Sequence, residues 1–113
     1  MYIEIRNDYR KLTLISRKLY KRMGKPDFVH ISRIKGKDEF IMIPMSKEQS
    51  EKIVCSPIVK YRSEMKNPAG FYWTIPSLEL FKTVTGINPA ISKIVKVSEI
   101  KIIDKTYFKL CTD

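Results

Sequence analysis

Residues 13–21, Thr-Leu-Ile-Ser-Arg-Lys-Leu-Tyr-Lys, return 61 positions later as residues 74–82, Thr-Ile-Pro-Ser-Leu-Glu-Leu-Phe-Lys. Thr, Ser, Leu and Lys recur in place, Ile75 answers Leu14, and Phe81 answers Tyr20. Each copy runs on to a glycine, Gly24 or Gly86, and then to a proline, Pro26 or Pro89. A strand-to-helix step that occurs twice restricts the fold more than any single motif does. Both copies must take the same local shape, and a domain that holds both tends towards symmetry.

The residues around the repeat read as short strands. Tyr2 to Arg6 alternate apolar and polar in strand fashion, and residues 7–11 form a polar turn. A second strand over 12–15 leads to Ser16, which is placed to cap a helix over 17–23. Leu19 and Met23 lie four apart on one helix face, and Gly24 followed by Pro26 stops the helix. Strands are expected over 28–34 and 39–44, with residues 35–38 as a hairpin turn around Gly36. Residues 45–52 read as loop or a short helical turn, 53–58 is ambiguous, and 59–62 has the character of an edge strand. After the Asn67-Pro68-Ala69-Gly70 turn the pattern restarts. It gives a strand over 71–75, a cap at Ser77, a helix over 78–84, and three strands over 92–97, 99–104 and 106–110. No flexible linker separates the halves, so a single domain with a common core is expected.

The formal charge of +10 is unevenly placed. Residues 1–66 carry 16 Lys and Arg against 8 Asp and Glu, whereas 67–113 carry 6 against 4. Arg6, Arg10, Lys11, Arg17, Lys18, Lys21, Arg22 and Lys25 fall within twenty positions and are opposed only by Asp8. A field of one sign attracts polyanions, and nucleic acid is the default partner of a small basic domain. Cys55 and Cys111 form no metal spacing with each other or with the single histidine, and are expected as reduced, buried thiols. Charges at Glu4, Arg6 and Asp8 interrupt any leader-like run, and no apolar stretch approaches the ~20 residues of a membrane helix. These features point to a cytoplasmic protein with no membrane partner.

Taken together, the strand end Leu12-Thr13-Leu14-Ile15-Ser16, the helix Lys18-Leu19-Tyr20-Lys21-Arg22-Met23-Gly24 and the hairpin of 29–34 with 40–44 resemble the SpoVT/AbrB-like swapped-hairpin family. That family includes bacterial transition-state regulators, antitoxins and MraZ-type proteins. Thr74-Ile75-Pro76 is nearer to the family's Ile-Pro step than Ile15-Ser16 is. The resemblance implies a mainly β domain with short helices, of α+β class. Two β-α-β-β units would interlock in one pseudo-symmetric swapped-hairpin-like domain, with 1–44 as the first unit, 45–66 as a connecting segment and 67–113 as a degenerate second unit. It also implies a monomeric pseudo-dimer or a homodimer. DNA-binding members use cations of the first turn and the short helix, which by position are Arg10, Lys11, Lys21 and Arg22, flanked by Arg6, Arg17, Lys18 and Lys25. Tyr9 stands beside Arg10 at the turn, where packing and contact with a sugar or base are equally open. Of Phe71, Tyr72 and Trp73, core packing is the expected role.

Catalysis has little to work with. His30 has no neighbour placed as a triad partner, Asp38-Glu39 reads as a solvated turn, and Gly24-Lys25 lacks the rest of a phosphate loop. No enzyme activity, cofactor or metal is expected. The leading expectation is a nucleic-acid-binding regulator that contacts double-stranded DNA through the first unit. The alternative is an interaction protein of a phage or mobile element that inhibits a host nucleoprotein enzyme, in the manner of an anti-CRISPR protein. An antitoxin is a third option, although the family's acidic tail is missing after Lys109-Leu110-Cys111-Thr112-Asp113.

Overall fold

Alternation along the strands determines which side chains turn inward. In β1 (Tyr2–Arg6), Ile3 and Ile5 are fully buried while Tyr2 is exposed. β2 (Leu12–Ile15) pairs antiparallel with β1, Ile3 opposite Ile15 and Arg6 opposite Leu12. α1 (Arg17–Arg22) follows at once, and then β3 (Phe28–Arg33) and β4 (Phe40–Met45) form a hairpin. The second half contributes α2 (Lys47–Ser50), β5 (Ser56–Pro57), β6 (Val59–Arg62), β7 (Phe71–Ile75), α3 (Glu79–Thr85), β8 (Ser92–Ile102) and β9 (Lys105–Cys111). The computed structural model describes residues 1–7, 11–34, 36, 39–62, 71–76 and 79–111. Tyr9, Arg10, the turn at 67–70 and the expected cap Ser77 lie outside the described residues.

The nine strands of the described residues join one antiparallel sheet in the order β5-β3-β4-β9-β8-β1-β2-β7-β6. Its hairpins alternate between the two halves of the chain, so β4 with β9, β8 with β1 and β2 with β7 are all pairings of first half with second. The sheet curls into a nearly closed barrel. Residues 56–62 span the seam: Ser56 and Pro57 pair with β3 at one margin, and Val59 to Arg62 pair with β7 at the other. Ile58 N–H donates to the Asp27 carbonyl between them, at 2.8 Å. Residues 45–66 therefore hold both a capped helical turn and the strands that close the barrel.

One core fills the interior. Ile3, Ile15, Leu19, Val29 and Met42 from the first half meet Ile75, Val95, Val97, Phe108 and Leu110 from the second. Among the described residues no helix is long and apolar enough to cross a membrane.

Two expectations need correction. The three strands predicted after residue 91 are two. β8 runs unbroken through Ser98, and the turn falls at Ile103-Asp104, where no glycine, proline or asparagine announces it. Cys111 is exposed, not buried, because it ends β9 on the outer face opposite Lys96; Cys55 is half-buried, and both thiols are free.

Candidate nucleic-acid interface

The short helix of the repeat is built as a plug with a charged outer side. Ser16 Oγ accepts from Leu19 N–H at 3.4 Å and from Tyr2 N–H at 3.1 Å, so one hydroxyl caps α1 and ties it to β1. Leu19, Tyr20 and Met23 are buried at the barrel end, while Arg17, Lys18, Lys21 and Arg22 are exposed. Tyr20 stacks on the half-buried Trp73, ring centroids 4.0 Å apart, and Lys60 Nζ lies over the Trp73 ring, 5.9 Å from its centroid. Trp73 thus packs as expected; the side chains of Phe71 and Tyr72 are outside the described set. Burial first, and then the Asp27 carboxylate, push the Tyr20 phenol above its ordinary value.

The helix ends in a Schellman turn. Lys25 N–H donates to the Tyr20 carbonyl and Gly24 N–H to the Lys21 carbonyl, both at 3.0 Å, with Gly24 at φ +86° and Lys25 at φ +55°. The turn aims Lys25 outward beside the other cations, and it is exposed. No acidic residue occupies the first turn of α1, and Lys21 and Arg22 lie in its last turn. There they complement the partial negative charge of the helix C-terminus.

The eight predicted contact residues do not form one cluster. Arg17, Lys18, Lys21, Arg22 and Lys25 gather at the α1 end of the β1–β2 hairpin. Arg6 and Lys11 lie at its other end, about 14 Å away along β2 at the usual rise per residue. Lys11 is exposed, at φ +45°. Arg6 is drawn down onto Glu4, with its NH1 nitrogen 3.0 Å from Glu4 Oε1, and only about a quarter of its side chain is exposed. Arg10 lies outside the described residues.

A third contributor comes from the second half. Arg22 Nε donates to Glu99 Oε2 at 2.8 Å, which joins the basic helix to β8. Beyond that pair Lys101 and Lys105 are exposed on the β8–β9 hairpin, and Lys93 and Lys96 on the stretch of β8 that pairs with β1. A count of charge by segment misses them, because four lysines spread over two strands do not make a run in sequence. Alternation puts Lys96 and Lys105 on one face of the folded β8–β9 hairpin and Lys93 and Lys101 on the other.

His30 takes a structural part: its Nδ1 donates to the Val54 carbonyl at 2.8 Å, and so helps hold the segment before β5. Glu39 is bound by Lys109 Nζ at 3.0 Å, across the β4–β9 junction. Among the described residues no group of three His, Cys, Asp or Glu side chains is placed to hold a metal ion. No family model matches the chain, nor does any curated protein or solved structure.

Proposed function

We propose that the chain is a pseudo-symmetric, two-unit swapped-hairpin-type domain that binds double-stranded nucleic acid through α1 and the adjoining cations. The order of the strands supports the two-unit reading, because hairpins of the two halves alternate round the sheet. The repeat matches Thr13 to Thr74, and exchanging the halves turns the pair Thr13–Ile75 into Thr74–Leu14, which is also a pair. Arg6–Leu12 answers Lys60–Trp73, and Tyr2–Lys96 answers Ser56–Val29. Carried on, the exchange matches Val29–Pro44 with Lys96–Cys111 and turns Met42–Phe108 into Lys109–Ile41, again a pair. The correspondence runs round the sheet one residue out of phase with the pleat: it sets buried Val29 against exposed Lys96 and buried Met42 against Lys109, so it relates the order of the strands and not the side chains that face the core.

The observation that carries the binding reading is the division of α1. Its apolar residues are all consumed by the core, and four of its six residues are exposed cations. Arginine offers a planar fork to phosphate and lysine a point charge. Binding is tested by fluorescence anisotropy of labelled duplexes over a salt series. Wild type binds at about 50 mM salt, and replacing Lys18 and Lys21 by Ala flattens the slope of log affinity against log salt by about 1.8, two phosphate contacts' worth. An unchanged slope removes α1 from the interface, and no binding by the wild type removes the reading altogether.

The alternative, a protein that blocks a host nucleoprotein enzyme, draws on exposed apolar residues of the outer face. Ile91, Ile94 and Tyr2 are 70%, 63% and 45% exposed. Such patches mark protein contacts. A stoichiometric protein partner that survives nuclease treatment favours that reading.

A further inference from the structure

The β8–β9 hairpin outruns the barrel. β1 stops pairing with β8 at Lys96, and β4 stops pairing with β9 at Phe108. The rungs Ile100–Tyr107, Lys101–Thr106 and Ile102–Lys105 pair with each other and, among the described residues, with no further strand. They form an arm about 10 Å long. On its flank β9 parts from β4, leaving an open cleft of about 450 Å³ between Ile43, Met45 and Tyr107.

The arm's tip is unusual in two independent ways. Ile102 and Ile103 are 51% and 93% exposed, side by side at the far end of a basic arm. Ile103 also takes φ +57°, a conformation in which a β-branched side chain is a real outlier. On the duplex-binding reading above, on which this step rests, the contrast is with the β3–β4 hairpin, which carries Gly36 in its turn. Gly36 has φ +79°. One hairpin therefore meets the left-handed requirement with glycine at no steric cost, while the other meets it with a strained, solvent-facing isoleucine. Strain of this kind, with nothing packed against it, points to use by a ligand.

We infer that Ile103, supported by Ile102, is a wedge that enters a base step of double-stranded nucleic acid while Lys101 and Lys105 hold the phosphates on either side. Apolar wedges of this size partly unstack a step and kink the duplex, and the bend brings more phosphate onto the protein. The Arg22–Glu99 pair fixes the arm against the basic helix, so phosphates bound by α1 and a step opened by the tip belong to one duplex. Asp104, at the tip beside Ile103, repels phosphate; its neutralisation as Asp104→Asn tightens binding.

The test uses the whole chain and end-labelled duplexes of about 30 base pairs with TA and CA steps, which unstack most easily. Bend is read by energy transfer between the ends, and unstacking by 2-aminopurine fluorescence. Wild type kinks the duplex by about 20–90° and brightens 2-aminopurine. Ile103→Leu, apolar but unbranched at Cβ, retains both signals. Ile103→Gly, which suits the backbone and so folds at least as well, loses both and binds about five- to tenfold more weakly with its salt slope unchanged. Salt-dependent binding without a kink, or a kink that survives Ile103→Gly, overturns the wedge and leaves the helix interface standing. No duplex binding by the wild type at low salt overturns both. Loss of a captured protein partner in Ile103→Gly, with duplex binding unaltered, assigns the tip to protein contact and overturns the wedge.

Discussion

Thr13 and Thr74 open the two copies of the repeat, and both are buried, but their hydroxyls meet different surroundings. Thr74 Oγ1 donates to the Val59 carbonyl at 3.1 Å, whereas Thr13 Oγ1 is buried with no hydrogen-bond partner. A buried hydroxyl without a partner costs more than it returns. Thr13→Val is expected to raise stability by about 1 kcal/mol and Thr74→Val to lower it by about as much, measured by urea unfolding. Equal effects at the two sites would show that the environments are not distinct. Tyr20 gives a pH-dependent expectation. Its phenol is raised above 10, mainly by burial. As pH passes the unfolded value the unfolded chain loses that proton first, so this contribution is present below about pH 10 and is lost as pH climbs towards the folded value. The stability gap between wild type and Tyr20→Phe should therefore narrow between about pH 9 and 11 in urea midpoints. A gap that holds constant means the phenol is not buried as described.

At the scale of elements, α1 is too short to persist alone and is held by its cap, its Schellman turn and the buried side chains of Leu19, Tyr20 and the C-cap Met23. The pair between Arg22 and Glu99 belongs to this scale, because it joins a helix of one half to a strand of the other. Arg22 is 61% exposed, so the pair contributes little to stability. Its consequence lies in the field: Glu99 offsets a cation of the proposed interface. Glu99→Gln should shift stability by less than about 0.5 kcal/mol while tightening duplex binding in a salt-dependent way. Weaker binding in that variant would mean that fixing the arm matters more than the freed charge. The helix boundaries and the β1–β2 and β3–β4 hairpins were legible in sequence because Ser16, Gly24, Gly36 and strict alternation announce them. The β8–β9 turn was not, because its positive-φ position holds Ile103 where a glycine is the usual signal.

At the scale of the whole molecule, alternation of hairpins from the two halves means that neither half encloses a core of its own. The chain should unfold in one cooperative transition, with coincident near- and far-ultraviolet signals. A fragment ending at residue 46 loses the partners of Ile3, Ile15 and Met42, so as a monomer it should be unfolded. If the halves are equivalent units, a second copy of the fragment supplies the missing strands, and circular dichroism should show structure growing with concentration. A folded monomeric fragment would remove the two-unit reading.

The sequence by itself determined the strand-to-helix step, its recurrence, and the excess of positive charge near the first copy, since these depend on local periodicity, capping and composition. Which cations share a surface was decided only by tertiary structure. Register, not spacing in the chain, separated Arg6 and Lys11 from α1 by the length of a hairpin, drew Arg6 onto Glu4, and brought Glu99 of β8 onto Arg22. Barrel closure lay beyond the sequence for the same reason. It depends on residues 56–62 reaching two strands at opposite margins of the sheet, and long-range pairing of that kind leaves no mark in local pattern.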